Sequence, residues 1–140
     1  MTRVNLVPPA ELADQHLFAE YRELKMIPKS LARSIAARGI DGIPAMISES
    51  FTLNKGHVSF FYDKGAYLQE RFELLKAELL VRGYTFNEAG VLDENGVYAQ
   101  HPHLNGMYSP TVDALRIIRE RIAERIALRP NWYKMHGKPL

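Results

Sequence analysis

The 140-residue sequence contains no cysteine, which excludes disulfide bonds, thiolate nucleophiles and cysteine-ligated zinc or iron–sulfur sites. No apolar run approaches the roughly 20 residues that a membrane-spanning helix needs. The first residues are charged and polar where a signal peptide is apolar. Walker and dinucleotide-binding glycine patterns are absent as well. The sequence therefore predicts a cytoplasmic protein without a membrane partner.

The composition is that of an ordinary globular protein, because 46% of the residues are hydrophobic and 24% are charged. Disorder of the whole chain is excluded by this balance. The length predicts a single domain over residues 1–140. A net charge of +2 is a weak argument for a nucleic-acid partner, but the basic residues concentrate near the two ends of the sequence.

Apolar residues recur at helical spacing in three stretches, residues 11–24, 63–82 and 110–129. Each stretch predicts a main helix. The middle stretch has the most complete apolar stripe, which predicts that it forms the centre of the core.

Capping signals predict where the helices begin and end. A shorter helix is predicted over residues 30–38, with Ser30 as its N-cap and Gly39 as its terminator. Ser109 followed by Pro110 is typical of an N-cap and a first helical residue, which predicts the start of the last main helix.

Two stretches are rich in glycine, proline, asparagine and serine, and predict irregular connections over residues 39–55 and 84–108. The second is long enough to include one hairpin. The predicted fold is an all-α, compact single domain. It consists of three main helices, one short helix, long irregular connections and a C-terminal tail.

Thr2 becomes the N-terminal residue if Met1 is removed, and a small second residue favours that removal. An α-amine has a pKa of about 7.7–8.0 against about 10.4 for lysine, so part of it is neutral near pH 7. Such an amine can attack C1′ of a sugar whose base is leaving, and the imine then permits β-elimination. Arg3 would favour the neutral amine and could bind phosphate. Alternatively the terminus is inert, since Thr follows Met in many proteins.

The first main helix carries two adjacent polar stripes. His16 and Glu23 are seven residues apart and share one stripe, while Gln15 and Arg22 share the next. A carboxylate such as Glu23 could stabilise a cationic sugar and move the proton removed in elimination. The alternative is that the acidic residues of this helix, with Arg22, form an ordinary solvated face.

The last main helix places Arg121, Arg125 and Arg129 at successive four-residue spacings. A stripe of one sign is mildly self-repelling and favours a polyanionic ligand such as DNA. Alternatively, Glu120 and Glu124 satisfy these arginines locally.

The C-terminal tail alternates aromatic and basic side chains at Trp132, Tyr133 and Lys134, a pattern typical of surfaces that stack on bases. The alternative is a tail that anchors to the core. His101 and His103 have the spacing of paired metal ligands, but no third ligand follows nearby, so no metal site is predicted.

Six blocks of the sequence lie in the order and at nearly the spacing of a known family. They are Thr-Arg-Val-Asn-Leu (2–6), Glu-Leu-Ala-Asp-Gln-His-Leu (11–17), Ala-Glu-Tyr-Arg-Glu-Leu (19–24), Gly-His-Val (56–58), Phe-Phe-Tyr-Asp-Lys (60–64) and Arg-Pro-Asn-Trp-Tyr-Lys (129–134). In these blocks the sequence resembles the pyrimidine-dimer DNA glycosylase/AP lyases, the phage-type repair enzymes called endonuclease V. Residues 27–50 and 84–115 match poorly.

The resemblance implies that Thr2 supplies the amine nucleophile and Glu23 the essential carboxylate. It implies that the substrate is double-stranded DNA containing a lesion, which the enzyme kinks while it flips a base out of the stack. No metal, organic cofactor, membrane or obligate protein partner is expected, and the compartment would be the cytoplasm of a bacterial or phage-infected cell. The residues that would contact DNA are Arg3, Gln15, His16, Arg22, Arg121, Arg125, Trp132, Tyr133 and Lys134.

Two departures from the family pattern concern lesion contacts. Position 26 is Met where the family has Arg, and Met135 and His136 dilute the aromatic run of the tail. Excision of pyrimidine dimers is therefore the leading hypothesis, and the same chemistry on abasic sites or another modified base is the nearest alternative. A non-catalytic basic DNA-binding protein, or an interaction module unrelated to DNA, are alternatives of a different class.

Overall fold

The computed structural model describes residues 3–140, which contain six α-helices. They are α1 (Asp14–Glu23), α2 (Met26–Arg38), α3 (His57–Phe60), α4 (Gly65–Val81), α5 (Val97–Gln100) and α6 (Val112–Leu128). Single-turn 3-10 helices occupy Pro9–Glu11, Ile40–Gly42, Pro44–Met46 and Pro102–Leu104. Two short antiparallel strands close the tail, β1 (Lys134–Met135) and β2 (Lys138–Pro139). The prediction of an all-α fold is confirmed.

Helices α1 and α2 are separated by a short break at Leu24 and Lys25, whose backbones stay right-handed. Pro28 explains the break, because it has no N–H to donate to the carbonyl of Leu24. Proline is tolerated in a first helical turn, so a second helix restarts at Met26. Gly39 ends this helix with a φ of 76°, as predicted.

Ser30 is not the N-cap of α2, so that prediction is wrong. The helix begins four residues earlier, at Met26, and Ser30 lies inside it. The Ser30 hydroxyl instead lies 2.7 Å from the hydroxyl of Tyr62, in a pair where either group can donate. The hydroxyl thus has a tertiary partner, which a local capping pattern does not reveal.

Helix α4 crosses the centre of the core and packs against α1. Its predicted stripe is buried apart from Leu80, which is 51% exposed. The helix starts at Gly65, where a Cβ would lie only 2.5 Å from the ring of Tyr98. The absence of a side chain there lets α5 pack directly on the start of α4.

Residues 84–108 form no hairpin, contrary to what the turn residues allow. The side chain of Asp93 accepts hydrogen bonds from the backbone N–H groups of Val97 (3.0 Å) and Tyr98 (2.9 Å). A carboxylate that accepts from the first backbone N–H groups of a helix caps that helix. The turn at Gly96 therefore leads into α5 and not into a strand.

Thr111, not Ser109, is the N-cap of α6. Its hydroxyl accepts from the backbone N–H of Ala114 at 3.0 Å, and Pro110 lies before the cap. Helix α6 is the most peripheral of the long helices, since only Ala114 and Ile118 of its residues are buried.

The tail hairpin turns at His136 and Gly137, which both have positive φ (52° and 77°). Adjacent positive φ values are typical of tight two-residue hairpin turns. Within residues 3–140 no helix has the length and apolarity required to cross a bilayer.

Candidate active site

A cleft opens where the N-terminal segment (residues 3–7), α1, α6 and the C-terminal tail (residues 130–140) meet. Its volume of about 260 Å³ lies below the roughly 300–1,000 Å³ typical of small-molecule pockets, which suits a shallow site for part of a larger substrate. The lining residues are Arg3, Asn5, His16, Ala19, Glu20, Glu23, Arg125 and Tyr133.

Helix α1 supplies one wall of this cleft. His16, Ala19 and Glu23 lie three to seven residues apart on α1, so one helical face presents all three to the cleft. Arg3 enters from the N-terminal segment and Arg125 from α6. Five of the residues predicted to act in catalysis or DNA binding therefore lie around one opening: Arg3, His16, Glu23, Arg125 and Tyr133.

Cations dominate the electrostatics of the cleft. Burial lowers the pKa of the half-buried Arg3, and the nearby charges of Arg121 and Arg125 lower it further, while Glu23 opposes them. Of these groups, Arg3, Arg125 and Glu23 line the cleft and Arg121 does not. The second carboxylate of the lining, Glu20, is paired with Arg71. Such an arrangement attracts an anion and leaves the Glu23 carboxylate available to a developing positive charge.

His16 is held in its neutral form. Burial lowers its pKa, and the charges of Arg3 and Arg125 lower it further, against a smaller opposing effect of Glu20. Its ring packs on Tyr133 with centroids 4.7 Å apart. The buried Nδ1 of His16 has no hydrogen-bond partner within residues 3–140. A neutral imidazole at this position can accept or donate a hydrogen bond.

A buried ion pair forms the floor beneath the cleft. Glu20 and Arg71 have side chains only 0% and 3% exposed, and two guanidinium nitrogens donate to the carboxylate at 2.6 and 3.0 Å. The Asn5 backbone N–H (3.2 Å) and side-chain amide (2.9 Å) also donate to Glu20. Burial alone would lower the pKa of Arg71, but the charge of Glu20 and the hydrogen bonds that it accepts from the guanidinium together outweigh burial and raise the pKa.

His57, the first residue of α3, contacts the same N-terminal segment. Its Nε2 accepts a hydrogen bond from the backbone N–H of Val4 at 3.0 Å. Its Nδ1 lies 2.8 Å from the carbonyl of Thr52, which can only accept. Nδ1 therefore carries the proton and the ring is neutral. Burial lowers the pKa of His57, and the Thr52 hydrogen bond opposes that effect.

The start of α1 anchors the C-terminal tail. Gln15 donates its side-chain amide to the carbonyl of Trp132 (2.7 Å) and accepts from the backbone N–H of Lys134 (3.1 Å). Asp14 accepts from the backbone N–H groups of His136 (3.0 Å) and Gly137 (2.7 Å). These contacts hold the tail in place, so that Tyr133 packs on His16.

The remaining predicted site residues do not line the cleft. Arg22 is exposed, with its guanidinium 5.9 Å from the ring of Phe18. Arg121 lies 3.5 Å from Glu124, and Trp132 is 42% exposed. Lys134 is exposed in β1.

The third arginine of the α6 stripe contacts the tail. Arg129 lies over the ring of Trp132, with its guanidinium carbon 3.9 Å from the ring centroid. Thr2, the predicted nucleophile, lies outside the described residues.

Lys25 does not supply the cation that the resemblance implies at position 26. Met26 is 50% exposed at the start of α2. The ammonium of Lys25 lies 5.8 Å from the ring centre of Tyr21, and an added Cβ on Gly90 would be 3.2 Å from it. Lys25 therefore faces the connection after α4 and does not take the place of a cation at position 26.

The alternative of a solvated acidic face on α1 does not hold for Glu20, which is buried, and Asn5, His57 and Arg71 were not predicted at all. Glu20 lies three residues after the buried Leu17, so its position on the apolar stripe of α1 indicates that its side chain is buried. Arg71 sits in the same way between buried residues of α4. A charged residue on each of two core stripes indicates a buried pair. Nothing local marks His57.

A larger cleft of about 450 Å³ lies elsewhere, lined mainly by apolar residues such as Leu6, Tyr67 and Leu74. It contains neither Glu23 nor His16. Across residues 3–140 no group of three or more His, Asp or Glu side chains is arranged to hold a metal ion. The rings of His101 and His103 have centroids 6.1 Å apart.

Comparison with known families identifies the family of the chain. The family model described as pyrimidine dimer DNA glycosylase matches residues 1–91, well over half of the chain. The match includes Arg3, His16 and Glu23, whereas Arg125 and Tyr133 lie beyond it. This is the family that the sequence blocks resemble. The chain therefore belongs to the pyrimidine dimer DNA glycosylase family, whose substrate is damaged DNA.

Proposed function

We propose that the chain excises pyrimidine dimers from double-stranded DNA and then cleaves the resulting abasic site through an imine formed by the N-terminal amine of Thr2. The observation that carries the proposal is the electrostatic interaction between Arg3 and Glu23 inside one cleft. Thr2 directly precedes Arg3, and consecutive Cα atoms are about 3.8 Å apart, so its amine can reach the same site.

The proposed reaction has four steps. The neutral amine attacks C1′ of the damaged nucleotide, and the bond from C1′ to the pyrimidine nitrogen breaks as the base takes up a proton. Opening of the sugar ring gives an imine. Loss of the C2′ proton then expels the 3′ phosphate, and water hydrolyses the imine to release the free amine.

Glu23 and His16 have separate roles in this scheme. The Glu23 carboxylate faces the positive charge that develops on the sugar and the imine, and it can carry the C2′ proton. The neutral ring of His16, with Nδ1 unpaired within the described part of the chain, can hydrogen-bond the ring-opened sugar. Arg3 and Arg125 bind the flanking phosphates.

Borohydride trapping tests the amine directly. Protein lacking Met1, incubated with DNA carrying an abasic site or a pyrimidine dimer, should form a covalent adduct when the imine is reduced. Cleavage after acidic residues should place this adduct on the peptide of residues 2–11, which contains no lysine, so only its α-amine can be modified. The same protein with an acetylated N-terminus should form no adduct and should not nick the DNA.

Three outcomes of these experiments would contradict the proposal. An adduct on a lysine-containing peptide would assign the nucleophile to another amine. Undiminished nicking by the acetylated protein would remove the amine from the mechanism. Salt-dependent DNA binding without any adduct would favour the non-catalytic DNA-binding alternative.

The cations of α6 should act on affinity and not on lesion choice. Arg125→Gln should weaken binding to damaged and undamaged duplexes alike, because Arg125 neutralises phosphate and reads no base. The slope of log K against log salt should become shallower by about 0.9 for each phosphate that the variant no longer neutralises. Equilibrium binding at several salt concentrations measures both effects.

Arg116→Gln is the matched control on the same helix. Arg116 pairs with Asp113 (2.6 Å) and Glu120 (3.0 Å) and does not line the cleft, so its replacement should leave the salt slope unchanged. A change in lesion preference, or an unchanged slope in Arg125→Gln, would contradict the proposed phosphate contact.

A further inference from the structure

The N-terminal segment is unusually well fixed for a chain end. Residues 3–6 form no helix or strand, yet Val4, Asn5, Leu6 and Val7 are all exposed by 6% or less. Leu6 has a φ of 58°, and the N–H of Val7 donates back to the carbonyl of Asn5 in a γ-turn. A conformation that non-glycine residues rarely adopt persists only where its surroundings impose it.

The restraint comes from side chains of other elements. Two consecutive backbone N–H groups, those of Val4 and Asn5, donate to His57 of α3 and Glu20 of α1. Arg71 of α4 donates to the carbonyl of Val7. Chain ends are ordered only where such contacts hold them.

The contacts of His57 fix both the orientation and the tautomer of its ring. Its ring packs edge-on against Phe51 and Phe61, with centroids 5.4 and 5.5 Å away. The Thr52 carbonyl fixes the proton on Nδ1, which leaves Nε2 as an acceptor directed at Val4. His57 does not line the cleft. Any effect on the reaction must therefore pass through the backbone that it holds.

We infer that His57 is a positioning residue, which holds the backbone N–H of Val4 so that the terminal amine two residues earlier meets C1′ of the damaged nucleotide. This inference rests on the proposed function of Thr2. Two residues span at most about 7 Å of extended chain, so a fixed Val4 confines the amine to the neighbourhood of the cleft. A misplacement of about 1 Å can cost on the order of 10²-fold in rate.

Two amide variants separate the two ring nitrogens. His57→Gln can place an acceptor near Nε2 and keep the Val4 contact, whereas His57→Asn can keep the Thr52 contact but reaches no further. We expect His57→Asn to lower the single-turnover rates of dimer excision and of adduct trapping by about 10- to 100-fold. His57→Gln should retain most of both rates. Affinity for dimer-containing duplex should be unchanged in both variants.

Two controls exclude a purely structural effect. His103→Asn changes an exposed histidine outside the site and should behave as wild type. Leu104→Ala truncates a buried residue away from the cleft, and it should lower the melting temperature without slowing single turnover below that temperature. Thermal unfolding of every variant fixes the assay temperature.

Each outcome bears on the inference. Wild-type rates in His57→Asn, equal slowing in both His57 variants, or equal slowing in Leu104→Ala would overturn it. Acetylated wild-type protein is measured in parallel. If the acetylated protein is active, the proposed function of Thr2 fails whatever the His57 variants do. If it is inactive while His57→Asn turns over normally, only the positioning role fails.

Discussion

Glu23→Gln should bind dimer-containing DNA at least as tightly as the wild type but excise the dimer about 10²- to 10⁴-fold more slowly in single turnover. The substitution keeps the shape of the side chain and removes its negative charge and its proton-accepting capacity. Because Glu23 interacts with Arg3 in a cleft dominated by cations, removal of the carboxylate charge leaves more positive charge facing the phosphates. The rate of excision should therefore fall while the affinity for DNA rises or stays constant.

Glu70→Gln provides the matched control, since Glu70 is an exposed glutamate of α4 outside the charged cleft. It should bind and excise as the wild type does. Quenched-flow excision under enzyme excess, together with equilibrium binding, measures the two quantities separately. Turnover retained by Glu23→Gln would remove the carboxylate from its role, and a parallel weakening of binding would make Glu23 a structural residue.

The helices of this fold could be predicted because their signal is local. Apolar spacing located α1, α4 and α6, and Gly39 ended α2 where the sequence indicates. The N-caps were harder, since several hydroxyl residues and prolines occur near each helix start. Ser30 does not cap α2 because a first helical turn tolerates Pro28, which lets the helix begin earlier.

The candidate site could be predicted only as far as helical periodicity extends. His16 and Glu23 share a face of α1 because they are seven residues apart, and both line the cleft. The contacts that hold the N-terminal segment join residues far apart in the sequence: Glu20 to Arg71 over 51 positions and Val4 to His57 over 53. A charge on each of two core stripes indicates that Glu20 and Arg71 are buried, but no spacing pattern links His57 to Val4, so only the folded chain reveals that contact.

The buried polar layer beneath the cleft connects stability with chemistry. The groups expected to meet the substrate, Arg3 and Glu23, sit on backbone that these buried contacts fix from beneath. Arg71 neutralises Glu20 and also holds the carbonyl of Val7, so one side chain serves both the core and the N-terminal segment. A substitution at Glu20 or Arg71 should therefore lower the free energy of unfolding more than it lowers the rate of the reaction.

Arg71→Met should lower the free energy of unfolding by about 3–5 kcal/mol, because it leaves the Glu20 carboxylate buried without its cation. Methionine fills much of the space of the arginine stem, so the destabilisation reflects the missing charge more than a cavity. Domains of this kind are stable by only about 5–15 kcal/mol in total. Chemical denaturation followed by circular dichroism measures this loss of unfolding free energy.

Removing the orphaned charge should recover part of this stability. In Glu20→Gln/Arg71→Met the side chain at position 20 is neutral and still accepts from Asn5, so the double variant should be more stable than Arg71→Met alone. Arg116→Met, the same change at an exposed surface pair, should leave the unfolding midpoint where it is. If Glu20→Gln/Arg71→Met is destabilised by the sum of the losses measured for Glu20→Gln and Arg71→Met separately, the two side chains are not coupled.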